Sequence, residues 1–262
     1  MHFAAERSIL SGKCGTRPRA RQRGTERAAY CVLRAIAVRG TERMDDTRQP
    51  PDGTAQHAAR STQHVPVVRR ATESDAPALG DVVARAFPDK FRPAFGTDER
   101  AARALGPYIA STMRRPGTEV YVAEVDGQIA GTVSLVLRKG FILGVGGMFV
   151  RAVGLPWALR AMFVLGFLGE PSPAADEAYV EVLGVAPEQQ RRGIGRALMA
   201  TAETRARALG RRRLTLYVTA NNTAAQALYT AQGLAVQSRS THPVAWLLFR
   251  APGFWRMEKR IA

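Results

Sequence analysis

Cysteine is nearly absent: the 262-residue chain has only Cys14 and Cys31, and none beyond. Without thiols after position 31, the larger part of the chain can form no disulfide, thiolate metal site or cysteine nucleophile. This points to a reducing compartment, and a cytoplasmic location is expected. Histidine is also sparse. His2, His57, His64 and His242 show no metal-ligand spacing, so no metal site is expected. Lysine is rarer than the charge suggests. Of 38 basic residues only four are lysine (Lys13, Lys90, Lys139, Lys259). The net charge of +16 has the size of a nucleic-acid footprint. Yet the arginines are scattered, apart from Arg211-Arg212-Arg213, and the arginine and alanine bias fits a GC-rich genome equally well. No helix-turn-helix, zinc finger or aromatic-studded sheet pattern accompanies them. The charge is read as a solvated basic surface, the Arg211–Arg213 run included, and nucleic acid is not an expected partner.

An uninterrupted membrane-length apolar run is missing too. "AAYCVLRAIAV" near the N-terminus is too short and too charged to span a bilayer. "GFILGVGGMFVRAVGLPWALRAMFVLGFLGE" is longer, but Arg151, Arg160, several glycines and Pro156 interrupt it. It reads as one or two apolar helices within 140–176 that bury against the domain or line a substrate cavity. Shallow membrane contact through 141–168, by an amphipathic helix near Trp157, and a homodimer interface are the alternatives.

Residues 1–64 lack apolar periodicity and are expected to form a disordered extension. Its Arg-rich start resembles a transit peptide, and Met44 is an alternative initiator. Order begins at residue 65. "VPVVRRA" reads as a strand. "TESDAPALGDVVARAF" reads as a helix with Ser74 as N-cap and Pro77 in its first turn. "TDERAARALGPYIASTM" is a second helical region. "EVYVAEV" and "QIAGTVSLVLR" form a hairpin around Asp126-Gly127, the pair a type I′ turn demands. "EAYVEVLGV" is a strand whose alternation places Tyr179, Glu181, Leu183 and Val185 on one face, with Val180, Val182 and Gly184 on the other. "IGRALMATAETRARALG" is a helix. "RRLTLYVTA", the short helix "NNTAAQALYTAQG", and the strands "LAVQSRS" and "FWRMEKRI" complete the chain. The connection 239–252 suits a substrate-contacting loop.

Between strand and helix stands "QRRGIGRAL", residues 190–198. A strand running into a glycine-rich turn and a helix start is a design for binding phosphate: the first helical amides lack partners, and glycine admits an anion to them. A Walker A loop would need Gly-Lys-Ser/Thr, which is absent. A dinucleotide fingerprint would need a third glycine where Leu198 stands. Gln/Arg-x-x-Gly-x-Gly/Ala fits fully, as Gln190-Arg191-Arg192-Gly193-Ile194-Gly195.

With this motif, and with Asn222, Ala225, Leu228-Tyr229 and Gly233-Leu234 following at matching intervals, residues 66–261 resemble the GNAT superfamily of N-acetyltransferases. The likeness is tightest over 178–234. It implies an α/β fold with a mixed, mostly antiparallel central sheet of about seven strands flanked by helices, the fourth and fifth strands splayed. It implies acetyl-CoA as acyl donor. The loop Gln190, Arg191, Arg192, Gly193, Ile194, Gly195 and Arg196 would hold the CoA pyrophosphate. A bulged fourth strand would pair with the pantetheine arm through Leu183 and Val185, and Asn221 or Asn222 would contact that arm. The segment 140–176 is longer and more apolar than the family's usual link at this place, which is where the acceptor site is shaped.

Acyl transfer from a thioester to an amine needs a base for the ammonium proton, donors for the oxyanion and an acid for the leaving thiolate. Tyr229 is the candidate acid, matching the family's Leu-Tyr-x-x-x-Gly pattern, against the alternative of a tyrosine packing on the sheet. Glu181 is the candidate base, against a solvated or salt-bridged strand glutamate, with Glu177 and a water chain as rivals. The acceptor is expected to be a small-molecule or protein amine with some apolar character. A non-catalytic acetyl-CoA sensor and a membrane-associated module are the competing functional readings.

Overall fold

The computed structural model describes residues 66–138, 144–166, 173–241 and 252–261. The extension 1–64, with the alternative start at Met44, lies outside these residues, as does most of the 239–252 connection. One half of the sheet is built on the hairpin of β2 (Thr118–Val125) and β3 (Gln128–Val136). Asp126 and Gly127 both take positive φ, 53° and 73°, the left-handed pair that closes a two-residue turn without splaying the strands.

Around it lie β1 (Val67–Arg70), β4 (Glu177–Val185), β5 (Arg213–Thr219), β6 (Ala235–Thr241) and β7 (Gly253–Arg260), giving a seven-stranded sheet in the order β1-β2-β3-β4-β5-β7-β6. Every pairing is antiparallel except β4 with β5. That parallel pairing is brief. Glu177–Val180 match Arg213–Leu216, and among the described residues Glu181–Val185 have no counterpart on β5. The cause is visible one strand away. Val180 faces Leu135 and Val182 faces Ser134, so Glu181 is an extra residue against β3. A bulge of this kind bends its strand and sharpens its twist, and here it turns β4 away from β5.

The bulge also corrects the strand alternation read from the sequence. Ala178 and Val180 lie in the core on one face of the sheet, and Leu183 and Val185 pack against the same core. Val182 packs on the opposite side. Tyr179 and Glu181 therefore do not share a face with Leu183 and Val185. The inserted residue shifts the period-2 pattern by one position.

On the first face, α6 (Ile194–Ala208) and α7 (Thr223–Ala231) cover a core of Val133, Leu135, Leu198, Met199, Leu214 and Leu216. On the other lie α1 (Ala76–Ala86), α2 (Pro88–Phe95), α3 (Asp98–Met113), α4 (Val145–Val153) and α5 (Leu155–Gly166). The apolar segment thus forms two helices, and one side of each buries. Phe149, Ala158, Ala161 and Val164 pack with Phe95, Ala101, Ala104 and Leu105 of α2 and α3. The short α2, which starts on Pro88, has no clear signal in the sequence.

Two further expectations are corrected. Ser74 does not cap the first helix. Asp75 reaches back to accept from the Thr72 amide at 2.7 Å, so a 3-10 turn over Glu73–Asp75 precedes α1 and Thr72 takes the capping place. The arginine run 211–213 is not uniformly solvated. Arg213 is half-buried and forks onto Asp176, both bonds 2.8 Å, with Glu258 at 3.2 Å.

Asp75 also fastens the start of α1 to β1, because both terminal nitrogens of Arg69 donate to its carboxylate, at 2.7 and 2.9 Å. The Arg69 bonds and the Thr72 amide outweigh burial and hold the Asp75 carboxyl far below the usual carboxylate range. A carboxyl with a depressed folded-state pKa stabilises the fold above its unfolded value, near ~3.9, and loses that contribution as pH falls. Asp75→Asn is expected to lower stability at pH 7 by about 1–3 kcal/mol. Denaturant titrations at pH 7 and at pH 3 should show the gap between variant and wild type narrowing at the lower pH.

Candidate active site

Three elements converge where β4 leaves β5. The first is the glycine loop. Gly193 caps α6 in the left-handed conformation, with φ 80°, and Arg191 is left-handed as well, at 61°. The first α-helical bond runs from the Ala197 amide to the Gly193 carbonyl. The amides of Ile194, Gly195 and Arg196 therefore precede the ladder, and no side chain caps them. The helix dipole adds positive potential at this end, and exposed Arg191, Arg192 and Arg196 surround it.

The two glycines do different work. A Cβ on Gly193 would meet open space, so its requirement is the positive φ. A Cβ on Gly195 would lie 3.1 Å from Leu228 of α7, so its requirement is close packing of α6 on α7. The loop is braced from both sides. Gln190 donates to the Val185 carbonyl at 3.3 Å. One terminal nitrogen of Arg85 on α1 donates to both carboxylate oxygens of Glu188, at 2.9 Å each, in the turn just before the loop.

The second element is the free edge of β4. The Ala186 amide donates to the Ala130 carbonyl. By the alternation of an antiparallel ladder, Gly184 and Val182 then bond toward β3, while the N–H and C=O groups of Leu183 and Val185 point into the gap toward β5. The third element is α7. Asn222 caps it by accepting from the Ala225 amide at 3.0 Å, which commits its oxygen to the helix. Asn221 is exposed beside it. Tyr229, on α7 itself, is 7% exposed and packs into the core that α6 and α7 cover. Burial alone pushes its phenol up to about 12, so it remains a neutral proton carrier at physiological pH.

Glu181 sits on the other face of the sheet, where two groups missed at the sequence level meet it. The Arg115 guanidinium, its side chain only 3% exposed, approaches one carboxylate oxygen at 3.3 Å, and the Ser134 hydroxyl donates at 3.3 Å. Arg115 is itself fixed by a 2.9 Å bond to the Thr118 hydroxyl in the turn between α3 and β2. Tyr179 and Tyr217 stand nearby on this face, their rings 6.0 Å apart. Nothing in "RRPGTEV" separates a buried arginine from a solvated one. Only the α3–β2 turn brings Arg115 to β4.

Glu177 is engaged differently. It accepts from Thr215, from the Ala174 amide at 3.2 Å and from Arg256 at 3.1 Å. Burial acts to raise its pKa, but these bonds outweigh it and hold the carboxyl below its ordinary value.

A profile of the Acetyltransferase (GNAT) family matches residues 81–234. No curated protein sequence matches significantly. Solved structures share the fold. The ribosomal-protein-alanine N-acetyltransferase from Brucella melitensis is 23% identical, with a TM-score of 0.52 over 74% of this chain and 99% of its own. An N-acetyltransferase from Staphylococcus aureus Mu50 is 14% identical, with a TM-score of 0.53 over 76% of this chain and 99% of its own. The paia N-acetyltransferase of Thermoplasma acidophilum, solved in complex with coenzyme A, is 16% identical, with a TM-score of 0.50 over 75% and 99%. At such identities the likeness is one of fold. Among the described residues no helix is long and apolar enough to cross a membrane, and no group of three or more His, Cys, Asp and Glu is placed to hold a metal ion. The profile covers more than half of the chain, including the glycine loop and both diverging strands, and the chain belongs to the GNAT family of acetyltransferases.

Proposed function

We propose that this chain transfers the acetyl group of acetyl-CoA directly to a primary amine. The observation that carries this reading is the open gap between β4 and β5, with the Leu183 backbone and the Val185 N–H turned into it and the uncapped amides of a helix start at its mouth. The loop from Gln190 to Arg196 offers the amides of a helix start to a pyrophosphate, and open space at Gly193 lets the phosphates approach. Leu183 and Val185 offer the rungs of a strand to an amide-bearing arm, with Asn221 and the amide nitrogen of Asn222 at its side. The bound donor supplies an activated thioester, and the Leu183 N–H is placed to stabilise the oxyanion.

The gap joins the two faces of the sheet. Tyr229 lies on the face of α6 and α7 and gives its proton to the leaving sulfur. Its raised pKa is no obstacle, because desolvation raises a thiol formed in the same surroundings too. The acceptor amine arrives from the opposite face, past Tyr179 and Tyr217. Glu181 takes the ammonium proton, directly or through water, and Arg115 is its positioning residue. The acceptor is a small-molecule or protein amine.

Acetyl-CoA at about 100 times its Kd should add roughly 2.7 kcal/mol to stability, an upward Tm shift of several degrees. Gly193→Val, which forces a β-branched residue into a left-handed position, is expected to lose that shift; its persistence would remove the loop from the reading.

Tyr229→Phe should keep its fold and its acetyl-CoA shift while kcat falls by about 10²-fold. Wild-type pH–rate profiles should show no loss attributable to Tyr229 below pH 10, since the phenol ionises only near 12. Undiminished turnover in Tyr229→Phe would leave the ring as packing.

With an amine panel as acceptors, Glu181→Gln should lower kcat about 10²-fold with little change in the KM for acetyl-CoA. Arg115→Met should do the same, and Arg115→Lys should recover a large part. Full turnover in Glu181→Gln would assign the Arg115–Glu181 pair to stability alone. Acetyl-CoA binding without turnover in the wild type would favour a sensor.

A further inference from the structure

The outer face of the α4–α5 pair differs from the rest of the surface. Among the described residues eight large hydrophobic side chains are exposed, and five of them are here: Val150, Leu155, Leu159, Met162 and Phe163. On α5 they follow helical spacing. Leu155, Leu159 and Met162 are 56%, 62% and 47% exposed, and the turn between them places all three on one stripe. The buried stripe of the same helix, Ala158, Ala161 and Val164, holds it on the protein. α5 is therefore apolar on both sides.

Within this segment the charges have one sign, and of the acids on the neighbouring α2 and α3 (Asp89, Asp98 and Glu99) Asp98 is paired with Arg92. From residue 127 to 169 there is no Asp or Glu, while Arg138, Lys139, Arg151 and Arg160 are present. Arg151 and Arg160 are exposed. Arg160 is kept at the stripe's edge, because its Nε donates to the Pro93 carbonyl at 2.8 Å and its guanidinium lies 5.7 Å from the Trp157 ring centre. Arg151 and Arg103 flank a shallow groove floored by Pro107, Met148 and Ala152. Apolar side chains in a row, cations at the margin and no acid on α4 or α5 themselves describe a helix pair that lies in a membrane interface.

A second copy of the chain is a poorer occupant. A two-fold contact would bring this face against itself and oppose cations with no acid in the segment to answer them. An anionic bilayer complements both the stripe and the charge.

We propose that α4 and α5 dock this protein on an anionic lipid bilayer, with α5 parallel to the surface. Leu155, Leu159 and Met162 enter the headgroup region, and Arg151 and Arg160 meet lipid phosphates. The twelve-residue α5 is about 18 Å long, too short to span and long enough to lie flat. A docked acyltransferase would meet acceptors that share the membrane surface.

The test is co-sedimentation of the full chain with sucrose-loaded vesicles of phosphatidylcholine alone or mixed with phosphatidylglycerol. Partition into the mixed vesicles is expected to fall about tenfold or more in Leu155→Glu/Leu159→Glu, whose altered positions are exposed and leave the thermal melt unchanged. Ala200→Glu/Ala208→Glu makes the same charge change on the exposed side of α6 and should partition as wild type does. Arg151→Gln/Arg160→Gln should lose the preference for phosphatidylglycerol. An equal fall in both glutamate pairs would assign binding to general basic charge and overturn the proposal. So would failure of the wild type to sediment with either vesicle, or a wild-type dimer in solution that Leu155→Glu/Leu159→Glu dissociates.

Discussion

One extra residue in β4 governs the architecture of the site. Glu181 is the residue inserted between the Val180–Leu135 and Val182–Ser134 matches with β3, and from that point β4 parts from β5. The turning of the Leu183 and Val185 backbone toward the gap and the placing of Glu181 opposite the α6 face both follow from this bulge. A regular strand of the same composition would have continued its pairing with β5 and closed the gap. The ladder lost over five residues is a real expense in a sheet, and the fold sustains it because the core on the α6 side continues beneath the opening, through Leu198, Leu214 and Leu216.

The loop that meets this gap draws its shape from opposed demands. Gly193 supplies a positive φ and Gly195 supplies room for Leu228, while the Arg85–Glu188 contact ties the preceding turn to α1. The contact joins α1 to the turn that precedes the loop through a surface ion pair, so its energetic weight is modest. Its geometric effect is to fix where the loop begins.

Much of this was legible in the sequence because local chemistry decided it. Asp126-Gly127 specifies its turn by backbone preference alone, and Gln190–Gly195 declares a loop before an amphipathic helix. The strand faces of β4 were misassigned for a physical reason: alternation is a local rule, and a bulge is decided by the partner strand. Ser74 and Thr72 are both good caps, and the choice fell to Asp75, which answers to Arg69 on β1. Arg115 and Ser134 reach Glu181 only through tertiary contacts. In 140–176 composition announced apolar helices, but which half of each helix would remain outside depended on α2 and α3.

Seen as a mechanical object, the sheet is two plates. One holds β1 to β4 and the other β5 to β7, and the seam between them is the four-residue match of Glu177–Val180 with Arg213–Leu216. The ion-paired cluster of Glu177, Arg213, Arg256 and Glu258 clasps the same end of the seam. Such a joint is clasped by strand pairing and ion pairs at one end, and at the other the two plates are held by the shared α6-side core alone, so the spacing there is set by side-chain packing and not by a ladder.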